Sequence, residues 1–295
     1  MCEHDDFEAF DRLAARPGLT RRRFGLMGLG AGLAAALPLG FGHAVEAPQG
    51  KDVEIRTPDG VADAYFVHPE SGRHPGVLVW PDIFGLRPAF KEMADRLAAS
   101  GYCVLVVNPF YRARRTPAAP LRADQTDPAT REVLIKLKDA LTAQTAATDA
   151  RAFVGFLDQQ SAVDTSRRIG SAGYCMGGPL VLRTAATLPG RVGAGASFHG
   201  GGLVTDEPDS PHRLIPQMKK AQFLIAIAEN DDAKEPAAKD VLRNAFKQAQ
   251  LPAEIEVYAG AQHGWCPPDS RVYHPELADK AWTRMLDLFG KALAA

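Results

Sequence analysis

The residues with the clearest chemical potential surround Cys175, in the run Gly173-Tyr174-Cys175-Met176-Gly177. This run places a glycine two residues before and two residues after a cysteine, where an apolar strand pattern changes to a helix pattern. Such spacing is typical of a nucleophile elbow, a strained turn in which larger flanking side chains would collide with the adjoining strand or helix. The turn would present the Cys175 thiol at a helix N-terminus, where unpaired N–H groups and the helix dipole favour the nucleophilic thiolate.

Two candidate acids and a histidine follow later strands. The apolar run 221–228 ends in Glu229-Asn230-Asp231-Asp232, which we predict to be a polar loop, and the alternating run 253–260 leads to His263. The chain order nucleophile, acid, histidine is that of α/β-hydrolases, in which the three residues meet at the carboxyl ends of a parallel sheet. We therefore predict that His263 activates Cys175 and that Asp231 or Asp232 orients His263.

The elements that must position these residues alternate between strand and helix. Strands are predicted over 75–81, 102–108, 168–174, 192–198, 222–228 and 253–258, and helices over 131–158, 237–250 and 275–293. A further helix pattern follows Gly85 and extends through Ala99. This alternation predicts an α/β fold with a mostly parallel sheet covered by helices on both faces, in one domain over residues 45–295.

From about residue 50 to its C-terminus the chain resembles the dienelactone hydrolase, or carboxymethylenebutenolidase, family of α/β-hydrolases. The residues that carry the resemblance are the run 173–178, Ala228-Glu229-Asn230-Asp231, His263 and Trp80-Pro81-Asp82-Ile83-Phe84-Gly85. The resemblance implies a Cys175, His263, Asp231 triad, with Asp231 preferred to Asp232 by the family spacing. It also implies an oxyanion hole made by the backbone N–H groups of Ile83 and Met176. The acid beside the nucleophile would be Asp82, where the family pattern has the longer glutamate.

The same resemblance implies a small-molecule substrate, a lactone or activated ester that forms a thioester on the enzyme. Family members hold a substrate carboxylate with arginines, and the candidates here are Arg112, Arg114 and Arg271, with His199 as a possible pocket residue. A bidentate arginine contact would contribute about 1.5 to 3 kcal/mol, enough to select anionic lactones. The alternative interpretation of these arginines is a solvated basic loop.

Composition excludes some partners and leaves alternative functions open. With 34 basic and 35 acidic residues and a formal net charge of −1, nothing in the charge favours nucleic acid or an anionic membrane surface. We expect no cofactor, no metal ion and a monomer. The alternatives are a carboxylesterase of broader specificity in the cell envelope, and a non-catalytic scaffold that binds a ligand or senses redox state.

The N-terminus predicts export. Thr20-Arg21-Arg22-Arg23-Phe24 matches a twin-arginine motif, and an apolar stretch rich in glycine and alanine runs to about Phe41, before Gly42-His43-Ala44. We predict a cleaved signal over residues 1–44 that is recognised by the twin-arginine machinery, and a periplasmic or secreted enzyme. A membrane anchor is the alternative, because the stretch approaches the roughly 17 residues needed to span a bilayer.

Three cysteines remain after this signal. Cys103 lies in a buried-strand pattern, which is typical of a core residue. Cys266 follows His263 by three residues and is either an incidental thiol or the partner of Cys175 in a reversible, inactivating disulfide.

Overall fold

The computed structural model describes residues 48–294 except 121, 122, 124 and 125. Within these residues, eight strands form one sheet in the order β1-β2-β4-β3-β5-β6-β7-β8. The strands are β1 Gln49–Thr57, β2 Gly60–His68, β3 Gly76–Trp80, β4 Cys103–Val107, β5 Ile169–Tyr174, β6 Val192–Phe198, β7 Gln222–Ala228 and β8 Ala253–Tyr258. The six strands from β3 to β8 are mutually parallel, and the β1–β2 hairpin joins one edge in antiparallel pairing.

Helices cover both faces of the sheet. In the described part of the chain they are α1 Pro88–Ala99, α2 Pro128–Asp139, α3 Ala143–Asp158, α4 Gly177–Thr187, α5 Glu229–Lys234, α6 Ala238–Gln248, α7 Pro275–Ala292 and a 3-10 helix over Pro211–Gln217. The cores on the two faces are distinct, with α1 and α7 packed on one and α3, α4 and α6 on the other. In the same part of the chain, every helix is too short or too polar to cross a membrane.

The central strands are mostly apolar because both of their faces are buried, with Ser171 and Ser197 as the polar exceptions. Every residue of β3, β4, β5 and β6 is buried. Successive side chains point to opposite faces, so Leu78 and Trp80 enter one core while Val77 and Val79 enter the other. Parallel pairing brings the carboxyl ends of β3 and β5 to β8 to one edge, and the loops that follow these ends carry the candidate catalytic residues.

The six predicted strands and the predicted fold class are confirmed, whereas two local predictions are wrong. The single helix predicted over 131–158 is two helices, because the first ends at Asp139 and Thr142 caps the second. The Thr142 hydroxyl accepts from the Thr145 N–H at 3.2 Å, and the Thr142 N–H donates to the Thr145 hydroxyl at 2.9 Å. The polar loop predicted after Ala228 is the short helix α5. The predicted export signal lies outside the described residues.

Candidate active site

Cys175 occupies a sharp turn between β5 and α4, as the glycine spacing predicts. Its φ of 52° lies in the left-handed region, which is unusual for a residue with a side chain. A Cβ atom on Gly173 would lie 2.1 Å from the carbonyl oxygen of Gly177, and one on Gly177 would lie 2.4 Å from the carbonyl oxygen of Trp80. Both positions therefore require glycine, and the turn packs directly on the end of β3.

The loop after β8 brings His263 to Asp231. Nδ1 of His263 lies 2.8 Å from Oδ2 of Asp231, and both side chains are largely buried. The backbone N–H of His263 also donates to Oδ1 of Asn230 at 2.8 Å, which fastens this loop to the first turn of α5. Asp232 instead forms an ion pair with Lys239 at 2.7 Å. Of the two adjacent aspartates, the structure therefore places Asp231 against the histidine.

The other side of the His263 ring is in hydrogen-bond contact with Cys175. Burial by itself would lower the pKa of His263, because it penalises the charged imidazolium. The negative charge of Cys175 and the hydrogen bond that Nδ1 of His263 donates to Asp231 outweigh burial and hold the pKa of His263 well above its usual value. A raised pKa keeps His263 able to donate a proton to a group bound beside Cys175.

The backbone N–H groups predicted to form the oxyanion hole belong to Ile83 and Met176. Asp82 forms a tight turn in which its carbonyl oxygen accepts from the Gly85 N–H at 2.8 Å and its Oδ1 accepts from the Phe84 N–H at 3.0 Å. Among the described residues, no acceptor binds the N–H of Ile83 or of Met176. Because the Cys175 turn packs on the residues that precede Asp82, the loops that carry these two N–H groups adjoin.

Asp82 is bound by Arg87, a residue that sequence reasoning did not select. Nη1 and Nη2 of Arg87 donate to the two carboxylate oxygens of Asp82 at 2.6 and 2.9 Å. Nε and Nη2 of Arg87 donate to Asp269, in the loop beyond His263, at 2.7 and 2.9 Å. Arg87 therefore ties the loop of Ile83 to the loop of His263. The opposite charges of Asp82 and Arg87, five residues apart, could have indicated their ion pair. No nearby residue in the sequence indicated that Asp269 also binds Arg87.

The arginines predicted to bind the substrate contact other groups of the protein or are exposed. Arg112 donates to both oxygens of Asp149 at 2.8 and 2.7 Å, and to Asp59 at 3.0 and 2.6 Å. Asp149 is 1% exposed, so this guanidinium neutralises a buried carboxylate. Arg114 is exposed and donates to the carbonyl oxygen of Ala118 at 2.8 Å, and Arg271 is exposed. Arg112 therefore already has two carboxylate partners within the protein, and its role in binding a substrate carboxylate remains a prediction.

His199 lies beneath the nucleophile. It is 1% exposed, has a φ of 40°, and accepts a hydrogen bond at Nδ1 from the backbone N–H of Cys175 at 3.1 Å. Burial, and then repulsion by His263, hold the pKa of His199 well below its usual value. A neutral His199 thus supports the backbone of Cys175.

All three cysteines of the described chain are free thiols. Cys266 is buried in the core beside α1 and α7, and burial raises the pKa of its thiol well above the usual value. A buried, protonated thiol exchanges slowly with disulfides, so the structure favours the first alternative, an incidental thiol, over pairing of Cys266 with Cys175.

Comparison with known proteins identifies the sequences that this chain resembles. A model of the dienelactone hydrolase family matches residues 62–293. A Methylorubrum extorquens protein named "Putative carboxymethylenebutenolidase" is 30% identical over 287 residues, 94% of each chain. The Rhodococcus opacus "Carboxymethylenebutenolidase" is 26% identical over 248 residues, 81% of this chain and 90% of the relative.

A solved structure gives independent support for the fold. The crystal structure titled "Putative Dienelactone Hydrolase" from Klebsiella pneumoniae superposes with a TM-score of 0.72 at 23% identity. The match covers 83% of this chain and all of the Klebsiella chain.

Proposed function

The chain belongs to the dienelactone hydrolase family, and we propose that it opens a lactone or hydrolyses an activated ester through a thioester formed on Cys175. One observation carries the proposal. Cys175, held on a strained turn, is in contact with His263, which is in turn bound by Asp231 at 2.8 Å. This is the geometry of a nucleophile, a base and an orienting acid.

The reaction follows from the placement of these groups. The Cys175 thiolate attacks the carbonyl carbon, and the N–H groups of Ile83 and Met176 stabilise the resulting oxyanion. Collapse of this intermediate breaks the bond to the leaving oxygen and leaves a thioester on Cys175. The leaving oxygen takes a proton from His263. His263 then removes a proton from water, the water oxygen attacks the thioester, and the thiolate departs. An enol lactone suits this nucleophile, because its stabilised enolate leaves more readily than the thiolate is expelled.

A second candidate, a carboxylesterase for neutral substrates, is favoured by the arginines. Arg112 is bound by Asp149 and Asp59, and Arg87 is bound by Asp82 and Asp269. Each guanidinium already faces two carboxylates, so neither offers an uncompensated positive charge to an anionic substrate. Rates for an anionic enol lactone and for neutral p-nitrophenyl esters distinguish the two candidates.

The test of the mechanism is single-turnover hydrolysis of a dienelactone by the full-length protein, followed by intact mass. We expect an acyl adduct on Cys175 in the wild type and no turnover by Cys175→Ala. The matched control is Cys103→Ala, because Cys103 is buried at the opposite end of β4 and should retain activity. Turnover by Cys175→Ala, or an adduct elsewhere, would remove Cys175 from the mechanism.

We also propose export by the twin-arginine route, on the strength of the motif Thr20-Arg21-Arg22-Arg23-Phe24. Replacement of all three arginines by lysine should retain the protein inside the cell, where fractionation and immunoblotting would detect it. Export of the triple-lysine variant at the wild-type level would refute the proposal.

A further inference from the structure

A cavity of about 190 Å³ lies between α1, α7 and the loop that follows His263. Its lining does not include Cys175, Asp231 or His263, so it is separate from the candidate active site. Four aromatic side chains line it: Tyr174, Phe198, Tyr273 and Trp282. A dry, apolar cavity of about 150 Å³ is large enough to bind benzene in another protein, so a single aromatic ring fits this volume.

The wall of the cavity carries a tyrosine hydroxyl. Tyr174 lines the cavity, is 3% exposed and stacks on Phe198, with ring centroids 4.9 Å apart. In the part of the chain that the structure describes, the Tyr174 hydroxyl has no hydrogen-bond partner from the protein, and buried tyrosines usually place this group against one. Burial raises the pKa of Tyr174 well above its usual value, so the hydroxyl remains a donor. A ligand oxygen at this depth would satisfy it.

Charged side chains at the mouth of the cavity determine which ligand charge is favoured. Glu92 and Arg96 line the cavity, and Arg96 binds Asp279 at 2.9 Å while its guanidinium carbon lies 4.4 Å from the Trp282 ring. The three side chains sum to a charge of −1, which disfavours a carboxylate. Arg96 already covers the Trp282 ring, which leaves less aromatic surface for a cationic ligand.

We propose that this cavity is a second binding site, for an uncharged single-ring aromatic compound whose oxygen bonds to Tyr174. The site is independent of the proposed function, since none of its lining residues takes part in the reaction described above. It adjoins the active site through the backbone, because Tyr174 precedes Cys175 and Phe198 precedes His199.

The probe that tests this site is 4-fluorophenol, titrated into the full-length protein and followed by fluorine NMR. We expect saturable broadening or shift of the ligand signal. Ala278→Leu, which adds a larger side chain to the cavity wall, should weaken binding at least tenfold. Ala99→Leu is the matched control, because Ala99 is exposed on α1 outside the cavity and its replacement should leave binding unchanged.

The role of the hydroxyl is tested by a double comparison. Tyr174→Phe should weaken the binding of 4-fluorophenol by about three- to tenfold, which is the effect of one hydrogen bond. The substitution should leave the binding of fluorobenzene unchanged. In the wild type, fluorobenzene should bind more weakly than 4-fluorophenol by the same factor, and this measurement stands even if Tyr174→Phe fails to fold. Binding that persists in Ala278→Leu, that is lost in Cys175→Ala, or that favours 4-fluorobenzoate would overturn the proposal.

Discussion

The ion pair of Arg87 with Asp82 offers the sharpest test of how the active site is held together. Both side chains are 11% exposed, whereas the side chain of Asp269 is 47% exposed. Arg87→Met keeps much of the packing against Phe90, whose ring centroid lies 4.8 Å from the guanidinium carbon, but removes the charge. The substitution leaves Asp82 buried without its cation.

The size of the effect follows from these exposures. Removing one partner of a buried ion pair costs about 3 to 5 kcal/mol, because the other charge remains desolvated. Asp82 keeps its hydrogen bond from the Phe84 N–H, which reduces the cost, and the exposed pair with Asp269 adds at most about 1 kcal/mol. We therefore expect the free energy of unfolding to fall by about 3 kcal/mol. We also expect kcat/KM to fall about tenfold, because the Ile83 N–H loses its anchor.

Urea unfolding and steady-state hydrolysis measure the two effects. Lys136→Met is the control, because the Lys136 and Glu132 side chains are 72% and 66% exposed and their pair should contribute no more than about 0.5 kcal/mol. The double variant Asp82→Asn, Arg87→Met should recover stability relative to Arg87→Met, since no buried charge is then left unpaired. The reasoning fails if Arg87→Met costs no more than Lys136→Met, or if the double variant is no more stable than the single one.

Three further predictions concern the elbow, the acid and Arg112. Gly177→Ala should lower the free energy of unfolding by about 1 to 3 kcal/mol and reduce kcat, because the added Cβ would lie 2.4 Å from a backbone oxygen. Gly190 has open space around it, so Gly190→Ala should be neutral or slightly stabilising. Equal effects of the two substitutions in urea unfolding would contradict this prediction. Asp231→Asn should lower kcat by a factor of about 10² to 10⁴. Because Asp231 raises the pKa of His263, the same substitution should move the alkaline limb of the pH profile to lower pH by about one unit or more, whereas Asp232→Asn should change neither quantity. An alkaline limb that does not move would exclude Asp231 as the acid that orients His263. Arg112→Met should lower the free energy of unfolding by about 3 kcal/mol, because Asp149 stays buried without its cation. The ratio of kcat/KM values for anionic and neutral esters should stay unchanged, and a selective loss on the anionic substrate would identify Arg112 as a binding residue.

Much of the fold was predictable because its signals are local. A strand buried on both faces is mostly apolar, so β3 to β7 are visible as separate apolar runs, and the half-buried β8 is visible as an alternating run. The β1–β2 hairpin was missed, although Pro58-Asp59-Gly60 between its strands is a recognisable turn signal. The break between α2 and α3 was missed because Thr142 and Thr145 form a cap without the glutamate that usually marks one.

The sequence by itself determined the elbow at Cys175 and the order of the residues that follow, because glycine spacing and strand periodicity depend only on near neighbours. Tertiary structure alone decided which partner each polar group meets. It placed Asp231 at His263 and Asp232 at Lys239, joined Arg112 to Asp149, and joined Arg87 to Asp269, 182 residues away. Such pairings depend on how loops that are distant in sequence converge at the carboxyl edge of the sheet. No local pattern of residues encodes which of these loops meet.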